Sequence, residues 1–470
     1  MRDLGLVAFL LAALLLGLKR PFVFVLAFVY VDLVQPQRLS YHLLNAFPIS
    51  MMLAPLAMGA WLLFDEKRWT RFSGRQGIIA LLLIYVALTT FNADLPVEAQ
   101  FKWVWVWKVL LFAVFLPLAI WSRLRIEALL MVVVLSVAAI VIPVGIKTAL
   151  GGGGYGQALG FVDNNTGLFE GSIMSTAAIG IIPILIWFAR HGTLFKPHWM
   201  VNAFVGCLIF ACLLVPVGTQ ARTGLVCIAA LVLFALRFAK RRLLYIGIIG
   251  VVGAAAIPLL PSSFQERMGT IQEYKADESA STRLAIWKWT IDYAVEHPFG
   301  GGFEAYRQNK VQYNLDNSPK AGAIPLATPA PAQNVVTDAG RAYHSSYFEM
   351  LGEQGFPGLA LFLILHIYSL VRMEAVRRRF RKTDGEDAWI SPLATALQTA
   401  HLVYLVGSIF VGIAFMPFIF NLIAAEIGID TYLKRRAKLV AGEKKLAPVK
   451  ALQPKLGTAL SPLPVRESVG

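Results

Sequence analysis

Thirteen apolar runs occupy this chain almost from end to end: Leu4–Leu18, Phe22–Val34, Leu44–Phe64, Ile78–Phe91, Trp103–Trp121, Ala128–Leu150, Ser172–Phe188, Val201–Val217, Leu225–Phe238, Leu243–Leu260, Phe356–Val371, Leu393–Phe415 and Phe418–Leu433. Few folds are open to such a chain. In lipid, every backbone N–H and C=O must be satisfied internally, so runs of this length select helices. Composition agrees, with 57% of the 470 residues hydrophobic and 15% charged. A soluble domain carries roughly a quarter charged residues. The expected class is all-α: a polytopic integral membrane protein of about 12–13 transmembrane helices. The lower number applies if one of the two short leading runs is re-entrant or fused.

The formal net charge is +15. In a chain of this kind it speaks of loop bias, not of nucleic acid. Lys67, Arg68, Arg71 and Arg75 share one loop, and Arg123 and Arg125 another. Arg190 with Lys196, Arg237 with Lys240 to Arg242, Arg372 to Lys382, and Lys434 to Lys438 follow. If every run crosses, all these fall on one side, which is expected to be cytoplasmic, with the N-terminus outside. Leu4–Leu18 lacks a sizeable basic n-region and a small-residue cleavage site, so no cleavable signal is expected there.

The opposite side holds one large loop, Pro261 to Tyr343, with eight Lys/Arg and nine Asp/Glu. Its net charge of −1 contrasts with the whole chain. Loops of that length are usually functional or disordered. The spacing predicts a helix over Ser281–His297 with Leu284, Trp287, Ile291 and Ala294 on its packed face, ended by Pro298 and Gly300–Gly302. Ala321–Ala332, with three prolines, reads as a flexible lid. The expected organisation is membrane helices over 1–260, the extracytoplasmic loop over 261–345, membrane helices over 346–438, and a loose cytoplasmic tail over 439–470. Cys207, Cys212 and Cys227 lie in or beside apolar runs and read as packing residues.

Four residues stand out as chemistry. His344 precedes Ser346 and Glu349, whose spacing is that of a capping box opening a short helix. The positive end of that helix disfavours imidazolium, so His344 is expected to stay neutral and able to accept a proton. Arg222, in the polar link Gly218–Gly224, departs from the positive-inside bias at a depth where desolvation is costly. Arg283 sits in the expected first turn of the loop helix, where a cation opposes the dipole. Arg341 lies three residues before His344. Guanidinium binds phosphate bidentately and stays charged, so these cations suit a phosphate-rich ligand. Arg307 reads as a solvated loop residue.

The ordered set Gln220-Ala-Arg222-Thr-Gly, Ser281-Thr-Arg283 with Trp287, His297-Pro-Phe-Gly300 with Gly302-Phe303, His344-Ser-Ser-Tyr, Glu353-Gln-Gly355 and Pro357-Gly358 resembles the O-antigen ligase and polymerase superfamily. It resembles most closely the O-glycosylation ligases found beside exosortase systems. Ala221 departs from the pattern, since many members have Ser before the arginine. The resemblance implies a metal-independent, cofactor-free glycosyltransferase of the GT-C type in the bacterial inner membrane, with its active site facing the periplasm. The implied donor is a glycan on undecaprenyl diphosphate. The implied acceptor is a hydroxyl on a glycan, lipid or protein. Carried over to this sequence, Arg222 and Arg283 bind the diphosphate, His344 is the base or orienting acceptor, and Arg341 contacts substrate charge.

Asn164 and Asn165, after Asp163, are candidates to line the glycan path, although an ordinary turn uses the same residues. Trp103, Trp105 and Trp107 with Lys102 and Lys108 read as an interfacial aromatic belt. Asp32 and Asp94 lack the paired-acid company a metal site needs, so no metal is expected. Two other functions compete with a ligase. A repeat-unit polymerase would share the donor chemistry. A lipid-linked glycan flippase or transporter would instead place charges inside paired membrane helices.

Overall fold

The computed structural model describes residues 2–40, 42–44, 47–67, 70–151, 167–237, 241–256, 278–315 and 334–446. In chain order the helices are α1 (Arg2–Lys19), α2 (Phe22–Val34), the single turn α3 (Pro36–Leu39), α4 (Ile49–Phe64), α5 (Gly74–Phe91), α6 (Pro96–Ala119), α7 (Arg123–Gly151), α8 (Gly171–His191), α9 (Trp199–Gly218), α10 (Arg222–Leu236), α11 (Arg242–Ala256), the loop helix α12 (Glu278–Glu296), α13 (Ser346–Arg379), α14 (Ile390–Gly407) and α15 (Pro417–Leu446). Each of the thirteen apolar runs lies mainly in its own helix. Among the described residues six helices, α5 to α9 and α13, are long and apolar enough on their own to cross a bilayer, and α2, α4 and α10 are shorter apolar helices.

Helix α8 is the axis of the bundle. It is 78% buried over its most apolar stretch, against 28% for α9 at the periphery. Small residues let it pack closely. A Cβ on Gly180 would lie 3.4 Å from Phe418, and one on Gly407 of α14 would collide with Thr176. Peripheral helices turn large apolar side chains outward, among them Leu81, Ile84 and Leu88 on α5 and Phe204 and Phe210 on α9. A soluble monomer does not expose so continuous an apolar belt. The chain is an all-α, multi-pass membrane protein.

Among its described residues, the long loop has one part that is not helical. Strands β1 (Lys310–Leu315) and β2 (Asn334–Ala339) pair antiparallel, Lys310 opposite Ala339. The lid segment Ala321–Ala332 lies outside the described residues, as does most of the tail. Helix α15 passes through residue 438 without a break and ends at Leu446.

Three local expectations need correction. Helix α12 starts at Glu278, so Arg283 lies beyond its first turn. Its packed face is also different. Thr282, Ile286, Thr290, Tyr293 and Ala294 are buried, while Leu284 and Ile291 are exposed. The helix has apolar side chains on two faces, and Ile286 wins because it fits beside Val311 and Tyr343. The capping box is absent. Ser345 is the N-cap, without a side-chain cap. The Ser346 hydroxyl donates to the Val411 carbonyl (2.9 Å) and accepts from the Ile413 N–H (2.9 Å), and Glu349 turns to Lys102. Long-range partners have displaced the local pairing.

Helix α13 breaks at Gly355, where φ is 63° and ψ is −167°. Its first part, Ser346–Gln354, is polar, and its apolar part begins at Phe356. Pro357 has no N–H for the Glu353 carbonyl, and the Phe356 N–H is drawn to the Pro298 carbonyl (3.0 Å). The glycine turn of the loop fills both gaps. Gly301 N–H donates to Gly352 O (3.1 Å), and Gly302 N–H to Glu353 O (2.9 Å). Asp94 ties the same turn to the α5–α6 connection: its N–H donates to Gly301 O (2.9 Å), and its carboxylate accepts from the Tyr293 hydroxyl and from Gln308 Nε2 (3.0 Å).

Candidate active site

Of the polar residues singled out by the sequence, Arg222, Arg283, Arg341 and His344 lie at the end of the bundle that carries the loop. His344 occupies a turn between β2 and α13 with φ 48°, in the left-handed region that few residues other than glycine adopt, though histidine does so more often than most. Asn309, fully buried, is the main support. Its Nδ2 donates to Arg341 O (2.7 Å), its Oδ1 accepts from Arg341 N–H (3.0 Å), and its own carbonyl accepts from Gly340 N–H (3.0 Å). Trp287 of α12 adds a second tie. Its Nε1 donates to Tyr343 O (2.9 Å), and its ring stacks on Phe348 with centroids 4.8 Å apart.

Arg283 lies one turn before Trp287, on the same stripe of α12. It therefore approaches His344. The histidine pKa is lowered first by partial burial, then by the charge of Arg283, then by that of Arg341. The sequence expectation of a neutral imidazole agrees in direction. The environment supplies reasons beyond the helix terminus, since loss of solvent and two guanidiniums both oppose protonation. The side chain remains exposed, so a ligand can reach it.

Arg222 is the first residue of α10 and is partly buried, with its Nε shut off from solvent. Its turn is pressed against α8, because a Cβ on Gly224 would lie 2.5 Å from Pro216 and 2.8 Å from Ser175. The Ser175 and Thr219 hydroxyls meet at 3.4 Å. Arg222 opens α10, whereas His344 precedes α13. The two are linked through α14, which packs on α10 and whose C-terminal Ser408 carbonyl accepts the Ser346 N–H (2.8 Å). Arg341 is exposed and ion-paired with Asp338. Asn164 and Asn165 lie outside the described residues.

A buried ionic set was not foreseen. Lys102 of α6 donates to Glu349 (2.6 Å) and to both oxygens of Glu353 (2.7 and 2.9 Å) on α13, with the Phe303 ring 5.2 Å away. The Glu304 N–H also donates to Glu353 (3.1 Å), and the Ala414 N–H to Glu349 (3.3 Å). One signal was present in the sequence. Glu349 and Glu353, spaced i and i+4, share a helix face and would repel unless a cation came between them. Lys102 belongs to this set instead of flanking an aromatic belt.

Beside the set opens a cavity of about 630 Å³. It is bounded by the ends of α2 and α6, by Glu304 and Arg307 of the loop, by Glu349, and by Gly412 to Pro417 before and at the start of α15. Arg307 is thus not simply solvated. It pairs with Glu304 (2.8 Å) and forms part of the cavity wall. Of the three tryptophans of α6, Trp105 faces the cavity.

Residues 207–363 match the family described as O-Antigen ligase. Residues 1–193 match a family described as of unknown function (DUF5935). No curated protein matches the chain. The ligase match covers about a third of the chain, and Arg222, Arg283, Arg341 and His344 all fall within it. It supports the O-antigen ligase superfamily, and with it a ligase- or polymerase-like glycosyl transfer with lipid-linked glycan and acceptor substrates at a membrane.

Proposed function

We propose that this protein transfers a glycan from undecaprenyl diphosphate to an acceptor hydroxyl at the periplasmic face of the bacterial inner membrane, as a ligase related to those beside exosortase systems. The observation that carries the reading is His344: exposed, kept from protonation by partial burial and two guanidiniums, and fixed by Asn309 and Trp287. The bias of Lys and Arg to the end away from the loop supports placing the loop end outside the cytoplasm.

The chemistry follows from these parts. His344 takes the proton of the acceptor hydroxyl as its oxygen bonds to the anomeric carbon. The bond from that carbon to the diphosphate oxygen breaks, and its electron pair leaves with undecaprenyl diphosphate. Arg222 and Arg283 offset the charge gathered on the leaving group, as fixed cations do best in a site shielded from water. Arg341 is the further cation available for substrate once it leaves Asp338. Guanidiniums do the work a metal does in other transferases, so metal independence is part of the proposal. The loop over 261–345 carries part of the site, Arg222 of α10 adds to it, and the helices on either side hold it.

A transporter finds one observation in its favour. Titratable groups do meet inside the bundle. His366 contacts His401 (2.7 Å), His401 contacts Glu426 (2.9 Å), and Arg75 joins Glu426 and Asp430. None of them lines the cavity beside Lys102. Reconstitution of the purified protein with lipid-linked glycan and candidate acceptors, in EDTA, tests the proposal. The expected result is a product one glycan larger than its acceptor, together with free undecaprenyl diphosphate. A ladder of repeat units would make the protein a polymerase. Glycan crossing the bilayer without transfer, or activity recovered only with added divalent metal, would overturn the reading.

A further inference from the structure

The cavity beside Lys102 has walls from both matched regions of the chain: α2 and α6 from the first, Glu304, Arg307 and Glu349 from the second. Its chemistry is distinctive. Phe101 and Trp105 present aromatic surface. Gln35 and Gln37 add carboxamides. The charged walls balance, with Arg38, Lys102, Lys108 and Arg307 against Asp32, Glu98, Glu304 and Glu349. Two of the four cations are already committed, Lys102 to Glu349 and Glu353 and Arg307 to Glu304.

A diphosphate site needs a surplus of cations, and by formal charge this cavity has none. Apolar residues line much of the cavity, among them Val31, Val109, Ile173 and Met416, but ions and carboxamides interrupt the continuous apolar lining that an acyl chain needs. Aromatic faces with carboxylates and carboxamides suit a ligand with apolar C–H faces and a dense rim of hydroxyls. At about 630 Å³ the space lies within the range of small-ligand pockets. It also touches the reacting end of the molecule, because Glu349 stands on the first turns of α13, five residues after His344.

We propose that this cavity is a saccharide-binding site that takes a sugar chain free of phosphate, with Trp105 as stacking platform and Glu98 as hydroxyl acceptor. The proposal rests on the glycosyl-transfer reading for the identity of the sugar, and it separates glycan recognition from the arginines that handle the diphosphate.

The test is calorimetric binding to the full chain in lipid nanodiscs. The probe is glycan released by mild acid from the host's polyprenyl-linked pool, so that it carries no phosphate. Trp105→Ala and Glu98→Gln should each weaken binding by about tenfold or more. His344→Ala should bind as well as the unaltered chain, and inorganic pyrophosphate should not compete. Glu98→Gln removes only a charge from a partly exposed wall, so it covers the case in which Trp105→Ala fails to fold. Absent binding by the unaltered chain, equal binding by both cavity variants, or displacement by pyrophosphate would each overturn the proposal. Binding reads occupancy and not turnover. Saccharide binding without transfer would sink the transferase reading alone, and transfer without binding would sink the cavity alone.

Discussion

Charge is buried at both ends of this bundle, and the two burials differ in kind. Away from the loop, Arg75 is 1% exposed and lies between Glu426 and Asp430, with Arg372 on the far side of Asp430 (2.6 Å) and His401 and His366 extending the chain inward. Those groups answer one another. At the loop end, Lys102 faces two carboxylates, a cavity opens beside them, and Arg283 and His344 stand at a surface a ligand can reach. Ionic groups that close on one another hold helices in register. Ionic groups left facing space are available for recognition. Burial alone therefore does not mark a functional charge, and the distinguishing feature is what remains open beside it.

Four measurements can break or sharpen this contrast. The largest effect is expected at His344. His344→Ala should lower transfer about 10²–10⁴-fold, the usual contribution of a positioned base, with thermal stability unchanged. Near-normal turnover would remove the histidine from the mechanism.

Arg75→Met should do the reverse. It leaves Glu426 buried without its guanidinium, so stability should fall by about 3–5 kcal/mol while turnover per folded molecule persists. Detergent-solubilised unfolding curves read the first and active-fraction titration the second. Loss of turnover in fully folded Arg75→Met would mean that the far end takes part in function.

The arginines come next. Arg222→Lys and Arg283→Lys keep charge but lose the planar fork, and each should cost at least about tenfold in transfer, with Ala variants about 10²–10³-fold down. Arg378, 72% exposed at the opposite end, is the control and should be nearly silent. Losses in the Arg222/Arg283 double variant should be non-additive, as for groups acting on one substrate. Equal tolerance at all three positions would place the diphosphate elsewhere.

The smallest effect is a shift in pH. The His344 pKa is lowered from 6.5, and the neutral form is the base. The acid limb of the rate profile should therefore lie below pH 6.5, activity falling as pH drops through the depressed value. Arg283→Gln removes one cause of the depression and should move that limb upward, toward 6.5. A limb unmoved by the substitution would show that Arg283 does not act on the histidine.

These contrasts explain what the sequence made legible. Thirteen apolar runs became thirteen helices because lipid leaves the backbone no other way to satisfy itself. The break at Gly355 was marked by its own glycine and the proline two residues on, and the polar turn around His344 by composition. Lys102 was harder. Its partners lie 247 and 251 residues away, and no local pattern announces a pairing of that range. The face of α12 failed for a different reason. Leu284 and Ile291 have the same helical spacing as a packed stripe, and only the shape of the surface beneath decides in favour of Ile286. Asn309 gave no signal at all, because its role is to hold backbone that belongs to another segment.

The contact between the glycine turn and the break in α13 has a consequence for how such a protein can diversify. A Cβ on Gly355 would fall 2.3 Å from the Pro298 carbonyl oxygen, and one on Gly300 would fall 2.5 Å from that of Glu353. The joint is made of main chain against main chain. Loop side chains other than those that brace this joint and His344, such as Tyr293, Trp287 and Asn309, can change without altering its alignment, whereas any residue larger than glycine at either point would wedge it apart. The lineage is thus free to rewrite the surface that meets new sugars and new acceptors while the histidine and its arginine keep their bearings.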